Sequence, residues 1–263
     1  MKSAFQPESQ DMRIVLGKLA PLLSLCLLLA LTSPCAVAQE KPDQPKSEES
    51  KQESPKQEAP KQEAPKAFQV TVTGDIDTES APVIGRLTTL YYQSYPKLVA
   101  RFSNPNRPAP AHIKLIFKQE LRVPAYCTGS EITINLDWLR KNPEDIGLLT
   151  HELTHAVQAY GRGVPGWFTE GMADYTRKLY GPEKQPGWEL PAKLTERNKY
   201  TDSYRVTGRF FLWLDEKHPG VVDKLHRKAQ DREFDIALFK EFTGETIDEL
   251  WAKCVADLSG KSP

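Results

Sequence analysis

An α+β fold follows from three features of this 263-residue chain. Alternating segments rich in β-branched residues fill the first part of its foldable region. Helical periodicity takes over after Asn142, and one strongly amphipathic helix there carries two histidines four residues apart. Strands first and helices afterwards suggest a small N-terminal sheet, helices packed on one long helix, and an all-helical C-terminal part.

Phe68-Gln69-Val70-Thr71-Val72 alternates and reads as a strand, and residues 78–102 follow as a helix rich in Leu, Tyr and Val. Ile113–Phe117 and Glu131–Leu136 read as further strands. Asn142-Pro143-Glu144-Asp145 has the composition of a helix start: a capping side chain, a first-turn proline and two acids at the positive end of the dipole. That helix is expected to run to Tyr160, before Gly161 and Gly163. A second helix is expected from Phe168 to Tyr180, with Phe168, Met172, Tyr175 and Leu179 as its apolar stripe.

Residues 1–67 stand apart from that fold. Arg13 and Lys18 supply positive charge, Leu22 to Leu31 is almost unbroken aliphatic sequence, and Ala36-Val37-Ala38 offers a small-x-small cleavage site. Residues 1–38 therefore read as an export signal, with Met12 the better start, and the protein as secreted or periplasmic. The apolar run falls short of the about 20 residues a membrane span needs, so no stable span is expected after cleavage; the alternative is an uncleaved anchor. Residues 39–67 repeat Lys-Gln-Glu-Ser/Ala-Pro at Lys51, Lys56 and Lys61 and hold no aromatic or β-branched residue. Such a segment buries too little apolar surface to offset its chain entropy, and reads as a disordered linker. The domain is 68–263, a normal size for one unit.

Lys plus Arg and Asp plus Glu are equal at 35 each, which argues against a nucleic-acid partner. Cys26 and Cys35 fall in the export signal, leaving Cys127 and Cys254, either one disulfide or two separate thiols. Neither cysteine has a second ligand at zinc-binding spacing.

The chemistry is concentrated in His151-Glu152-Leu153-Thr154-His155. Residues i and i+4 share a helix face, so both imidazoles can converge on one ion. Ile146, Leu149, Leu153, Ala156, Val157 and Tyr160 share roughly the opposite face. Glu152 is turned about 100° away, suited to act as general base on water activated by zinc. A catalytic zinc usually has three protein ligands. Glu170 is the expected third, with Asp174 holding a histidine by its other nitrogen, although spacing alone leaves the choice between the two acids open. The competing reading pairs both acids with Arg177 and Lys178 on a solvated face.

His-Glu-Leu-Thr-His-Ala-Val-Gln (151–158), Pro-Gly-Trp-Phe-Thr-Glu-Gly-Met-Ala-Asp-Tyr (165–175), Ser-Tyr-Arg-Val-Thr-Gly-Arg-Phe (203–210) and Gly-Glu-Thr-Ile-Asp-Glu-Leu-Trp (244–251) occur in this order. On these motifs the chain resembles the basic secretory protein family, zinc peptidases of plants and bacteria. The resemblance implies a zincin-like fold with zinc on His151 and His155. Residues 169–175 also look like the glutamate-ligand helix of the gluzincin aminopeptidases, which supports Glu170, although the interval from His155 is shorter here. The balanced charge departs from the basic character in the family's name.

The function expected is hydrolysis of peptide bonds in a peptide or protein substrate. Tyr204 is the candidate to stabilise the oxyanion, with Tyr200 and Arg205 as weaker substitutes; a packed aromatic is the alternative for Tyr204. Glu131–Leu136 is expected to be the sheet edge along which substrate lies, the alternative being an interior strand with no free edge, and residues 181–199, with Trp188, form either part of the cleft rim or a structural cover. The competing functions are a catalytically silent zincin-fold binding protein, an interaction module of the cell envelope, and a zinc amidase acting on cell-wall peptides.

Overall fold

The computed structural model describes residues 68–260, so the expected signal and linker lie outside the described residues. The chain is α+β: one helix lies between the first two of four strands, and among the described residues helices but no strand follow Asn135. Strand β1 (Gln69–Gly74) leads into α1 (Ala81–Phe102), which returns the chain to β2 (His112–Lys118), parallel to β1. Strands β3 (Ala125–Thr128) and β4 (Glu131–Asn135) form a hairpin; β4 lies parallel to β2, and β3 lies antiparallel on β4. The sheet order is β1-β2-β4-β3.

This order corrects one expectation. Glu131–Leu136 was read as a free edge, but β4 is interior, paired on both sides. Thr133 and Asn135 on this strand are both buried. Asn135 is satisfied there, since its amide donates to the carbonyls of Leu121 and Val123 while its oxygen accepts from the backbone of Asp137 and Trp138. The outer strands among the described residues are β1 and β3.

The start of the histidine-bearing helix is also corrected. Asn142 terminates α2 (Leu136–Lys141) instead of opening the next helix, and its amide donates to the Trp138 carbonyl. A 3₁₀ turn at Asp145–Gly147 intervenes, and α3 spans Leu148–Gln158. It ends close to the expected Tyr160, with Ala159 in the left-handed conformation at φ 45°. Asp145 caps nothing, because its carboxylate accepts from the Trp138 indole (2.7 Å) and the Arg177 guanidinium (2.6 Å).

Helix α3 packs between α1, α4 (Gly166–Tyr180) and β3. Leu149, Leu153 and Val157 point into a core shared with Leu87, Leu98, Phe117 and Phe168. Within the α4 stripe Phe168, Met172 and Tyr175 are buried, whereas Leu179 is exposed. Helix α5 (Tyr204–Lys217) lies close against α4 because Gly171 has no side chain; a Cβ there would fall 2.3 Å from Thr207 Cγ2. That approach brings the start of α5 to the polar side of α3. Helices α6 (Val221–Gln230), α7 (Leu238–Thr243) and α8 (Ile247–Leu258) complete the layer. No helix among the described residues is long and apolar enough to cross a membrane.

Candidate metal centre and cleft

His151 and His155 emerge one turn apart on α3, their ring centroids 4.9 Å apart. Glu170, on the first turns of α4, faces both: its Oε2 lies 3.2 Å from His151 Nε2 and 3.6 Å from His155 Nε2. One atom from each of the three residues therefore falls within 4.8 Å of the other two. Zinc ligands at about 2.0–2.2 Å in tetrahedral geometry sit roughly 3.3 Å from one another, so the donor set and its spacing fit that metal.

Each imidazole is oriented through its other nitrogen. His151 Nδ1 donates to Asp174 Oδ1 at 2.7 Å. For His155 the partner is Gln158: the Gln158 amide nitrogen donates to the Thr169 carbonyl, which turns its oxygen toward His155 Nδ1, 2.8 Å away. Both Nε2 atoms are thereby turned toward Glu170 and, once unprotonated, can bind a ligand. Sequence reasoning named Asp174 but missed Gln158, although its position three residues beyond His155 on the same helix was the available signal.

The acids alter the protonation of these groups. Burial opposes charge on His151, but its hydrogen bonds to Asp174 and Glu170 prevail and push its pKa up to about 10. Glu170 is held down at about 2 because the facing imidazoles outweigh its burial. Glu152 is only 7% exposed, and burial raises its pKa despite the nearby histidines. Its carboxylate makes no hydrogen bond or ion pair among the described residues and borders the cleft. The competing salt-bridge reading of the two acids is not what forms, since Arg177 pairs with Asp145 and Lys178 with Glu189.

Tyr204 is 55% exposed and stacks nearly parallel on the His151 ring, centroids 6.1 Å apart. The negative charge of Glu170 raises its pKa, so the hydroxyl keeps its proton at neutral pH. Arg205 borders the cleft beside it. Tyr200 instead packs among Trp167, Phe210 and Trp251, which removes it as a substitute.

These residues line a cleft of about 1740 Å³. That exceeds the roughly 300–1,000 Å³ of a small-molecule pocket and suits a chain-like ligand. One wall is β3, through Ala125, Tyr126 and Cys127, and another is the 181–199 segment, through Pro186, Gly187 and Trp188. Cys127 and Cys254 are separate thiols, and burial pushes Cys127 up to about 12.

The sequence profile of the BSP family, described as peptidases of plants and bacteria, matches residues 56–253. The chain belongs to this family. The matched span takes in β1 through most of α8, and so every cleft residue described above. Comparison with curated proteins gives no match. The BSP match agrees with the family named from the sequence motifs, and its description makes a peptide or protein the expected class of substrate.

Proposed function

We propose that this BSP-family member is a zinc-dependent metallopeptidase of zincin-like fold, exported through its N-terminal signal. The observation that carries this reading is the convergence of His151 Nε2, His155 Nε2 and Glu170 Oε2, with both Nδ1 atoms already engaged and Glu152 alongside. Zinc held by these three residues would supply an activated water and polarise the scissile carbonyl.

The remaining chemistry belongs to the chain. Glu152 takes a proton from the attacking water and passes it to the leaving amine, and a pKa raised by burial suits a carboxylate to both tasks. Asp174 and Gln158 hold the imidazoles in register. Tyr204, protonated at neutral pH, donates to the oxygen on which charge develops. The outer edge of β3, whose residues line the cleft, pairs with the extended substrate, the role first expected of β4.

Zinc content and cleavage of a peptide library, compared between the parent and Glu152→Gln, test the reading. One zinc in each, with turnover lowered about 10²–10⁴-fold in the variant, is expected. A parent without zinc overturns it. Zinc without cleavage of any peptide favours the silent binding protein. N-terminal sequencing of the exported protein tests the export step, with processing after Ala38 expected.

A further inference from the structure

The chain turns into α5 through an unusual corner. Ser203 sits at φ 68°, ψ −178°, a region that essentially only glycine occupies, and Tyr204 follows at φ 44°. Two such residues in succession strain the backbone by about 1–3 kcal/mol each. Thr207 ties the corner down, its backbone N–H donating to the Ser203 carbonyl and its hydroxyl to the Tyr200 carbonyl. Tyr204 is thereby set against the His151 ring, and Arg205 borders the same cleft.

Charge along this wall is unevenly matched. Asp145 is taken by Arg177 and Trp138, and Glu144 by Arg86. Arg177 is committed in turn: its Nε donates to Gln185, its NH2 to Asp145, and its guanidinium lies 3.9 Å over the Trp188 ring. Glu170 and Asp174 are directed at the histidines. Arg205 is exposed and makes no hydrogen bond or ion pair among the described residues. It is close enough to Arg177 for the two charges to repel. On this wall Arg205 is therefore open to a ligand, whereas Arg177 is held by its own partners.

Resting on the peptidase reading, we propose that Arg205 forms a carboxylate-binding subsite that selects peptides with an acidic group near the scissile bond. A guanidinium fork matches a carboxylate in two parallel hydrogen bonds. The carboxylate comes either from a Glu or Asp side chain or from the peptide's C-terminus. Strain at the corner is then the consequence of holding Tyr204 at the reacting centre and Arg205 one residue further along the substrate.

The test uses the zinc-loaded full chain and synthetic peptides in which one Glu is moved through the positions around the cleaved bond. Each peptide has a Gln counterpart, and each is made with a free and an amidated C-terminus. The parent should favour the carboxylate peptide at one position by about tenfold or more in kcat/KM, expressed in KM. That ratio should fall toward one in Arg205→Gln, persist in part in Arg205→Lys, and turn toward Lys peptides in Arg205→Glu. A preference that survives amidation assigns the side chain, and one that vanishes assigns the terminus. An unchanged ratio in Arg205→Gln overturns the proposal, as does an equal loss of kcat on every peptide, which would place Arg205 in the chemistry. If the parent cleaves nothing, the peptidase reading fails separately, and anisotropy with labelled Glu and Gln peptides on the Glu152→Gln protein decides the subsite. Tighter binding of the Glu peptide that depends on Arg205 supports it; no discrimination, or no binding, overturns it.

Discussion

His151 and His226 are both largely closed off from solvent, yet their surroundings drive them to opposite charge states. His151 faces Asp174 and Glu170, and its pKa is pushed up to about 10. His226, on α6, faces no carboxylate at hydrogen-bond distance. Its Nε2 donates to the Phe102 carbonyl (2.9 Å), its Nδ1 accepts from the Tyr160 hydroxyl (2.7 Å), and burial pulls its pKa down to about 4. One imidazole holds its charge between two acids, whereas the other is a neutral tie between α1, α6 and the end of α3. A buried histidine thus acquires its role from the acceptors around it, not from its burial.

The largest test of that contrast is to remove a partner of the first kind. Glu170→Ala should lower zinc affinity on the order of a thousandfold, read by competition with a chelator, because two ligands no longer close the set. His226→Gln should leave that affinity unchanged. Comparable losses in both would break the distinction.

The pH dependence comes next, and the two sites have opposite signs. His226 has a folded pKa near 4, below the about 6.5 of an unfolded chain, so its contribution is complete above that value. It is lost as pH falls from about 6.5 toward 4, by roughly 3 kcal/mol, and the loss should flatten in His226→Gln. His151 in the metal-free protein is shifted upward, so its contribution is complete below about 6.5 and is lost as pH rises toward 10. Zinc should abolish the alkaline limb, since it takes the place of the proton, and leave the acid limb untouched. Urea titrations at several pH values, with and without zinc, read both limbs. A smaller effect is expected of Asp174→Asn, about 10–100-fold in zinc affinity with the fold intact.

The legible parts of the sequence were those where one helix or strand sets the pattern by itself. Helices α1 and α4 and strands β1 and β2 follow from local periodicity. The i, i+4 histidines are set by a single helix as well, and the placement of Glu170 and Asp174 on one face of α4 needed only its period. The features that escaped depend on partners distant in sequence. Ala125–Thr128 has no apolar alternation and is a strand because β4 and α3 flank it. Asn142–Asp145 has the composition of a helix start, but the Asn142 amide bonds back to Trp138, Arg177, more than thirty residues on, claims the Asp145 carboxylate, and a 3₁₀ turn forms there. The interior place of β4 depends likewise on β3, a partner strand that the pattern of β4 alone does not reveal.

The smallest predicted effect is also the one that tests whether the two histidine regions communicate. Tyr160 donates to His226, and its hydroxyl lies close enough to Gln158 to interact with the amide that orients His155. Tyr160→Phe leaves His226 Nδ1 as a buried acceptor without a donor, which should destabilise the fold by about 1–3 kcal/mol. The melting temperature would fall by about 2–4 °C for each kcal/mol. Zinc affinity should stay within about threefold of the parent, because Gln158 keeps its bond to the Thr169 carbonyl and so its orientation toward His155. A tenfold loss of zinc affinity in this variant would mean that the neutral tie also sets the metal ligand, and the two imidazole environments would have to be treated as one network.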